Sequence, residues 1–165
     1  MLVLTDVDGV LRDPCKFVKI YLSGPVKNWN GYFKRTPEMP AIPGMIEVIN
    51  GLMLWGCHDV YFGTGCSESN RSLTTQWLNT HLQSWVRNER LLMRPNKDRS
   101  HGSALKLAWA LQLHPDLIFD DEPETVEVLR DKGFTVCRFM GTEFQRTTFM
   151  IIYRTKEDCN DLQFC

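Results

Sequence analysis

Near the start of the chain an aliphatic run, LVLTDVDGVL (residues 2–11), breaks on two carboxylates one residue apart, Asp6 and Asp8. Far downstream, LIFDDEP repeats the arrangement: an aliphatic segment beginning at Leu117 ends on Asp120 and Asp121 and leads into a helical pattern. A packed strand gains nothing from such pairs. The stretch Asp8-Gly9 between apolar residues also reads as a hairpin turn, but that reading accounts for Asp8 and leaves Asp6 idle. In a parallel sheet all strands end at one edge, in the crevice where such folds bind ligands, so two strands that finish on acids bring three or four carboxylates together. Unpaired, these groups would repel one another and raise each other's pKa; a hard divalent cation with oxygen ligands, Mg²⁺ foremost, removes the difficulty. Such an ion keeps several waters and accepts phosphate oxygens as further ligands, so the acids point to phosphoryl chemistry.

Two other places supply complementary parts. VYFGTG ends on Thr64 and Gly65, a hydroxyl and a flexible backbone suited to donating hydrogen bonds to a phosphate. A plain turn is the simpler account of those two residues alone. The GTG lacks the third glycine of a dinucleotide fingerprint, which disfavours that alternative. Lys106 is the only charged residue between Ser103 and Leu113. Helical side chains lean toward the N-terminus, so Lys106 can reach the crevice, or it can mark the helix's one solvent-facing strip.

The elements that must position these groups are legible in outline. Short apolar runs at residues 2–4, 60–62, 91–93, 117–119 and 134–137 alternate with helical spacing, the pattern of βα units around a parallel sheet. The segment 123–132 carries helix signals at both ends: Pro123 at the first helical position, Glu122 and Glu124 at the positive end, Arg130 and Lys132 at the other, and Gly133 as a stop. A second helix starts at Pro43 and Gly44, with Met45, Val48, Ile49 and Leu52 on one stripe until Gly56. A third covers 103–113 with Ala104, Leu107, Ala108 and Leu111 on a stripe, and is apolar most of the way round, which predicts a largely buried helix. A fourth, less regular, lies between Asn70 and Leu82. Residues 12–42, with four prolines, Trp29, Tyr32, Phe33 and a basic excess, read as an insertion after the first strand holding one short helix. An edge strand is expected around Phe149 to Tyr153.

Composition bounds the function classes. With 165 residues, 43% apolar and 24% charged, the chain suits one soluble domain over 1–165. No run approaches the roughly 20 apolar residues of a membrane span. The N-terminus shows no export signal, so a cytoplasmic location is expected. The net charge of −1 gives no global attraction to nucleic acid, although Lys16, Lys19, Lys27, Lys34 and Arg35, and separately Arg94, Lys97 and Arg99, form local basic segments. Six cysteines without a C-x-x-C pair read as reduced thiols, with Cys159 and Cys165 as the one pair to check, and the histidines lack ligand spacing.

In order and approximate spacing, DVDGV (6–10), the strand ending in Thr64, Lys106, and the Asp120-Asp121 pair resemble the four motifs of the haloacid dehalogenase (HAD) superfamily of phosphatases, over residues 2 to about 138. Within it, LLMRPNKDRS, the lysine helix and LIFDDEPETVEVLRDKGF look like the 3′-phosphatase domain of bacteriophage polynucleotide kinase and its stand-alone bacterial relatives. The resemblance implies a three-layer, Rossmann-like α/β fold with a small flap at 12–42 and no large cap domain. It implies Asp6 as a nucleophile forming an aspartyl phosphate, Asp8 as acid and base, and Thr64, Gly65 and Lys106 on the phosphoryl oxygens. Mg²⁺ would be held by Asp6, the Asp8 backbone carbonyl, and Asp120 or Asp121. The implied substrate is a phosphomonoester, either a nucleotide or the 3′-phosphate end of a polynucleotide; a small-metabolite phosphatase and a non-catalytic metal-binding regulator are the alternatives. Those relatives usually carry arginine where this chain has Cys66, acids where it has Gly102 and Ser103, and arginine where it has Glu122. Arg71, Arg94 and Arg99 are candidate substitutes, and Trp29 a candidate to stack on a base.

Overall fold

The computed structural model of the chain describes residues 1–54, 56 and 58–140 and the backbone of 151–153. Cys57, Cys159, Cys165 and Phe149 lie outside the described residues.

Five strands lie parallel in one sheet: β1 (Leu2–Asp6), β2 (Asp59–Ser67), β3 (Leu91–Arg94), β4 (Leu117–Asp120) and β5 (Val136–Arg138). They are ordered β3-β2-β1-β4-β5, and β6 (Ile151–Tyr153) adds an antiparallel edge. All five parallel runs expected from the sequence are present. The alternation of side chains along each strand divides the core in two. Val3, Val60, Phe62 and Phe119 pack with Met45, Ile46 and Ile49 of α3 (Pro43–Leu54) and with Trp77 and Leu78 of α4 (Arg71–His81). Leu4, Ile118 and Val136 pack with Leu105, Trp109 and Ala110 of α5 (Gly102–Leu113) and with Val126 and Leu129 of α6 (Pro123–Asp131). The result is the three-layer α/β arrangement, helices on both faces of a parallel sheet.

The register decides the site. Asp6 lies abreast of Gly63, one residue before Thr64, and Thr5 lies abreast of Phe119, one residue before Asp120. The tips of β1, β2 and β4 therefore present Asp6, Thr64 and Asp120 side by side. At Asp6 the chain leaves the sheet, since Val7 O accepts the N–H groups of both Leu11 and Arg12. The hairpin alternative does not occur, because both neighbours of β1 run parallel to it.

Two expectations are corrected. The insertion holds two short helices, α1 (Cys15–Tyr21) and α2 (Trp29–Lys34), and a 3₁₀ turn at Thr36–Glu38, where one helix was expected. Helices of 7 and 6 residues are too short to show a periodic apolar stripe. They close over a small core of Phe17, Tyr32 and Met39, and Asn28 caps α2 by accepting the Gly31 N–H at 2.8 Å. In α5 the expected burial holds on one side only: Ala104, Ala108 and Leu111 of the stripe are exposed, Leu107 is half-buried against the core, and Leu105, Trp109 and Ala110 are buried. A helix apolar nearly all round carries no periodic signal for its rotation. Here the rotation is set by Trp109, whose ring lies 3.2 Å from where a Cβ on Gly63 would sit, and by the inward reach of Lys106.

This rotation predicts a contrast on one helix. Trp109→Ala is expected to lower unfolding free energy by about 3–5 kcal/mol in denaturant titrations. Leu111→Ala, two residues on and half exposed, is expected to change it by no more than about 0.5 kcal/mol.

Candidate active site

Each acid at the strand tips has its own set of contacts. Asp6 is buried; its Oδ1 accepts the Val7 N–H at 2.8 Å, and its Oδ2 accepts a hydrogen bond from Lys106 Nζ at 2.6 Å. The same ammonium group lies 2.7 Å from Asp120 Oδ2, while Asp120 Oδ1 accepts the Glu122 N–H at 3.0 Å. Lys106 therefore points into the crevice, and the solvent-strip reading of it is excluded by these contacts. Asp121 forms no ion pair among the described residues. Its carboxylate lies over Gly9, whose φ is +93° and where an added Cβ would fall 2.1 Å from Asp121 Oδ2. Glycine is the residue this close approach requires.

Asp8 is gripped from two sides. Arg12 donates from Nε to Asp8 Oδ1 at 2.9 Å, and Thr64 Oγ1 donates to Asp8 Oδ2 at 2.9 Å. Thr64 Oγ1 in turn accepts the Cys66 N–H at 3.0 Å, where β2 departs from regular pairing with β3.

One carboxylate oxygen from each of Asp6, Asp120 and Asp121 lies within 4.8 Å of the other two. Burial is the main cause that raises the Asp6 carboxyl well above the usual carboxylate range; Lys106 opposes the rise, and Asp120, Asp121 and Asp8 add to it. Asp120 is raised mainly by burial, against Lys106. Asp121 is pushed up to about 6 by burial and by Asp120. Lys106, despite burial, holds its proton more firmly than a free lysine because Asp6 and Asp120 face it. One ammonium group thus stands among three acids, and the deficit of positive charge, with an all-oxygen donor set, fits a hard divalent cation.

A cavity of about 580 Å³ opens over these groups. Asp6, Asp8, Lys106, Asp121 and Gly65 line it together with Lys27, Trp29, Tyr32 and Phe33 of the insertion. Trp29 is 48% exposed and stacks on Phe33 with ring centroids 5.8 Å apart. Arg94 also lines the cavity, donating to the carbonyls of Gly65 at 3.0 Å and Ser100 at 2.7 Å. Arg71 does not: it pairs with Glu68 and donates to the carbonyls of Asn88 and Leu91. Arg99 is exposed and also outside the lining. A smaller depression of about 230 Å³ lies at the opposite edge of the sheet, around His58, Asp59 and Arg90, away from the acids.

Sequence reasoning missed Arg12, which it counted with no group. The available signal was its position four residues after Asp8, in a loop too short to carry it away. Cys66 is also placed in the lining; it is buried, and burial followed by the nearby Asp8 pushes its thiol up to about 12, so it supplies no charge.

No family model and no curated protein matches the sequence. Among solved structures, a chain of the Pnkp1/Rnl/Hen1 RNA repair complex superposes with a TM-score of 0.64 at 18% identity, over 83% of this chain and 41% of that one. The class C acid phosphatase from Bacillus anthracis gives 0.60 at 17% identity, over 79% and 60%. A HAD hydrolase from Entamoeba histolytica gives 0.57 at 14% identity, over 84% and 83%. The fold is the HAD fold. At these identities the likeness is one of fold, and this chain spans about two fifths of the length of the RNA-repair chain.

The acid cluster makes stability depend on pH. A carboxyl whose folded pKa is raised makes the folded state bind more protons than the unfolded one. Its contribution is most favourable below the unfolded value of 3.8 and declines as pH rises through the folded value, about 6 for Asp121. The metal-free protein is therefore expected to lose melting temperature between about pH 4 and pH 6. Added Mg²⁺ is expected to raise it at pH 7 and flatten the decline, as read by thermal melts with and without the ion.

Proposed function

We propose that the chain is a Mg²⁺-dependent phosphomonoesterase that works through an aspartyl phosphate on Asp6 and acts on a nucleotide or on the 3′-phosphate end of a polynucleotide. One observation carries the reading: Asp6, held by Lys106, lines an open cavity beside Asp8, with Asp120 and Asp121 within ligand distance.

Asp6, Asp121 and the Asp8 backbone carbonyl would hold Mg²⁺. When bound, the ion neutralises the carboxylates and withdraws charge from the phosphoryl oxygens. Asp121 is the better candidate for direct contact, because Asp6 and Asp121 line the cavity and Asp120 does not. Lys106 would orient the phosphoryl group and offset its charge, while Thr64, whose hydroxyl is donated to Asp8, would steady that carboxyl from beneath the cavity. An Asp6 oxygen attacks phosphorus as the bond to the leaving oxygen breaks, and Asp8 gives that oxygen its proton. Asp8 then takes a proton from the water that displaces Asp6.

The aromatic lining from the insertion and the cations Lys27 and Arg94 suit a nucleotide better than a small aliphatic phosphate, and stacking of a base on Trp29 would contribute about 1–3 kcal/mol. The likeness to a chain from an RNA repair complex supports the same substrate class.

With Mg²⁺ and p-nitrophenyl phosphate, Asp6→Asn is expected to lower kcat by at least about 10³-fold. Asp121→Asn is expected to raise the Mg²⁺ concentration for half-maximal rate. Across a panel of 3′-phosphorylated oligonucleotide, free 3′- and 5′-nucleotides and sugar phosphates, kcat/KM is expected to be highest on the oligonucleotide or the nucleotides. Trp29→Ala is expected to raise KM there by about 5- to 150-fold. Sugar phosphates as the best substrates would remove the nucleotide assignment.

A further inference from the structure

Arg12 belongs to no helix or strand and follows the first acid pair by four residues, yet its side chain is wholly out of water. Nε and one terminal nitrogen both approach Asp8 Oδ1, at 2.9 and 2.8 Å. The guanidinium carbon lies 5.3 Å from the ring centroid of Trp77, itself buried, whose Nε1 donates to Met39 O at 2.8 Å. Backbone bridges tie Arg12 to Asp8 on one side and to Ala41 on the other, and its carbonyl accepts the Gly9 N–H at 2.8 Å.

A buried guanidinium is a poor choice for stability alone. Removing it from water costs several kcal/mol, and an apolar residue of similar volume packs without needing a counter-charge. Asp8 is its one ion-pair partner among the described residues. The contact is also specific in its chemistry. Nε donates to Asp8 Oδ1 while a terminal nitrogen of the same rigid plane lies 2.8 Å from that oxygen, and neither terminal nitrogen has a hydrogen-bond partner among the described residues. The point charge of a lysine does not reproduce this arrangement, directed at one carboxyl.

We propose that Arg12 is a positioning residue for Asp8. It fixes the carboxyl plane through Oδ1 and leaves Oδ2, whose one hydrogen bond among the described residues is accepted from the Thr64 hydroxyl at 2.9 Å, as the atom that passes the proton. The inference rests on the phosphatase reading above. As the Asp6 oxygen bonds to phosphorus, the electron pair of the breaking P–O bond goes to the leaving oxygen, which takes its proton from Asp8 Oδ2. In the second half-reaction, Oδ2 takes a proton from the attacking water as the bond between phosphorus and Asp6 breaks. Arg12 stays charged throughout and donates no proton.

The test is steady-state kinetics with Mg²⁺ on p-nitrophenyl phosphate, phenyl phosphate and glycerol 2-phosphate, for wild type, Arg12→Met, Arg12→Lys, Asp8→Asn and the Arg12→Met/Asp8→Asn pair. A nitrophenolate leaves without a proton, whereas an alkoxide needs one. Arg12→Met is expected to lose about 10²-fold or more in kcat/KM on glycerol 2-phosphate and less than about 10-fold on p-nitrophenyl phosphate, since kcat/KM reports the steps up to departure of the leaving group. In contrast, kcat falls on every substrate whose rate is set by hydrolysis of the aspartyl phosphate. Arg12→Lys is expected to recover part of the loss, and the double variant to lose no more than Asp8→Asn alone. Equal losses in kcat/KM on all three substrates, or additive losses in the double variant, overturn the proposal. So does the absence of a cooperative melt in both Arg12 variants, which assigns the residue to stability. A wild type that hydrolyses none of the three overturns the phosphatase reading itself, an outcome visible before any variant is made.

Discussion

A single ammonium group, Lys106 Nζ, sits 2.6 Å from Asp6 and 2.7 Å from Asp120 where all three groups are nearly removed from water. The rest of the site depends on that contact. Without it, two carboxylates at neighbouring strand tips would face each other in a medium of low polarizability, where repulsion is far stronger than in bulk water. With it, the tips of β1 and β4 are tied to α5, and the helix cannot rotate without breaking two short charge-assisted hydrogen bonds. One positive charge does not balance three acids. Asp121 is left over, pressed against the one glycine that makes room for it, and the electrostatic demand for a cation falls on the cavity side of the cluster.

What the sequence discloses follows from what is energetically expensive. Carboxylates at the end of an aliphatic run are costly unless something answers them, so Asp6, Asp8, Asp120 and Asp121 stood out, and the parallel sheet needed to gather them followed from the alternation of runs and helices. Helix α6 was legible at both ends because proline, the charged residues and Gly133, with its φ of +84°, each have a local physical reason to be there. Helix α5 was legible in extent but not in rotation, since its leucines and alanines lie on every side and only tertiary contacts choose among them. The two helices of the insertion are too short for their own periodicity to show.

Arginines were the hardest residues to place. In a sequence, Arg12, Arg71, Arg94 and Arg99 look alike: long, charged and near turns. In the fold they have four different fates. Arg12 is interred on Asp8, Arg71 ties the Asn88 carbonyl before β3 to that of Leu91 at its start, Arg94 borders the cavity, and Arg99 faces solvent. Nothing local distinguishes them, because the partner of each is far away in sequence or defined by loop geometry. The neutral Cys66 sharpens the point. Where the proteins this chain resembles usually place an arginine, it has a buried thiol, and the positive charge near the acids comes from Lys106, Arg12 and Arg94.

The insertion leaves and re-enters the core at nearly one point: Asp13 N–H meets Pro40 O at 2.8 Å, and Ile42 N–H meets Leu11 O at 2.7 Å. Its two roots are stitched to each other, so what lies between them hangs from a closed loop and the sheet does not feel its length. Segments of other sizes grafted between Asp13 and Pro40 would meet the same hinge-free anchor. Such a joint lets the overhang change while the acid cluster at the strand tips stays where the sheet puts it.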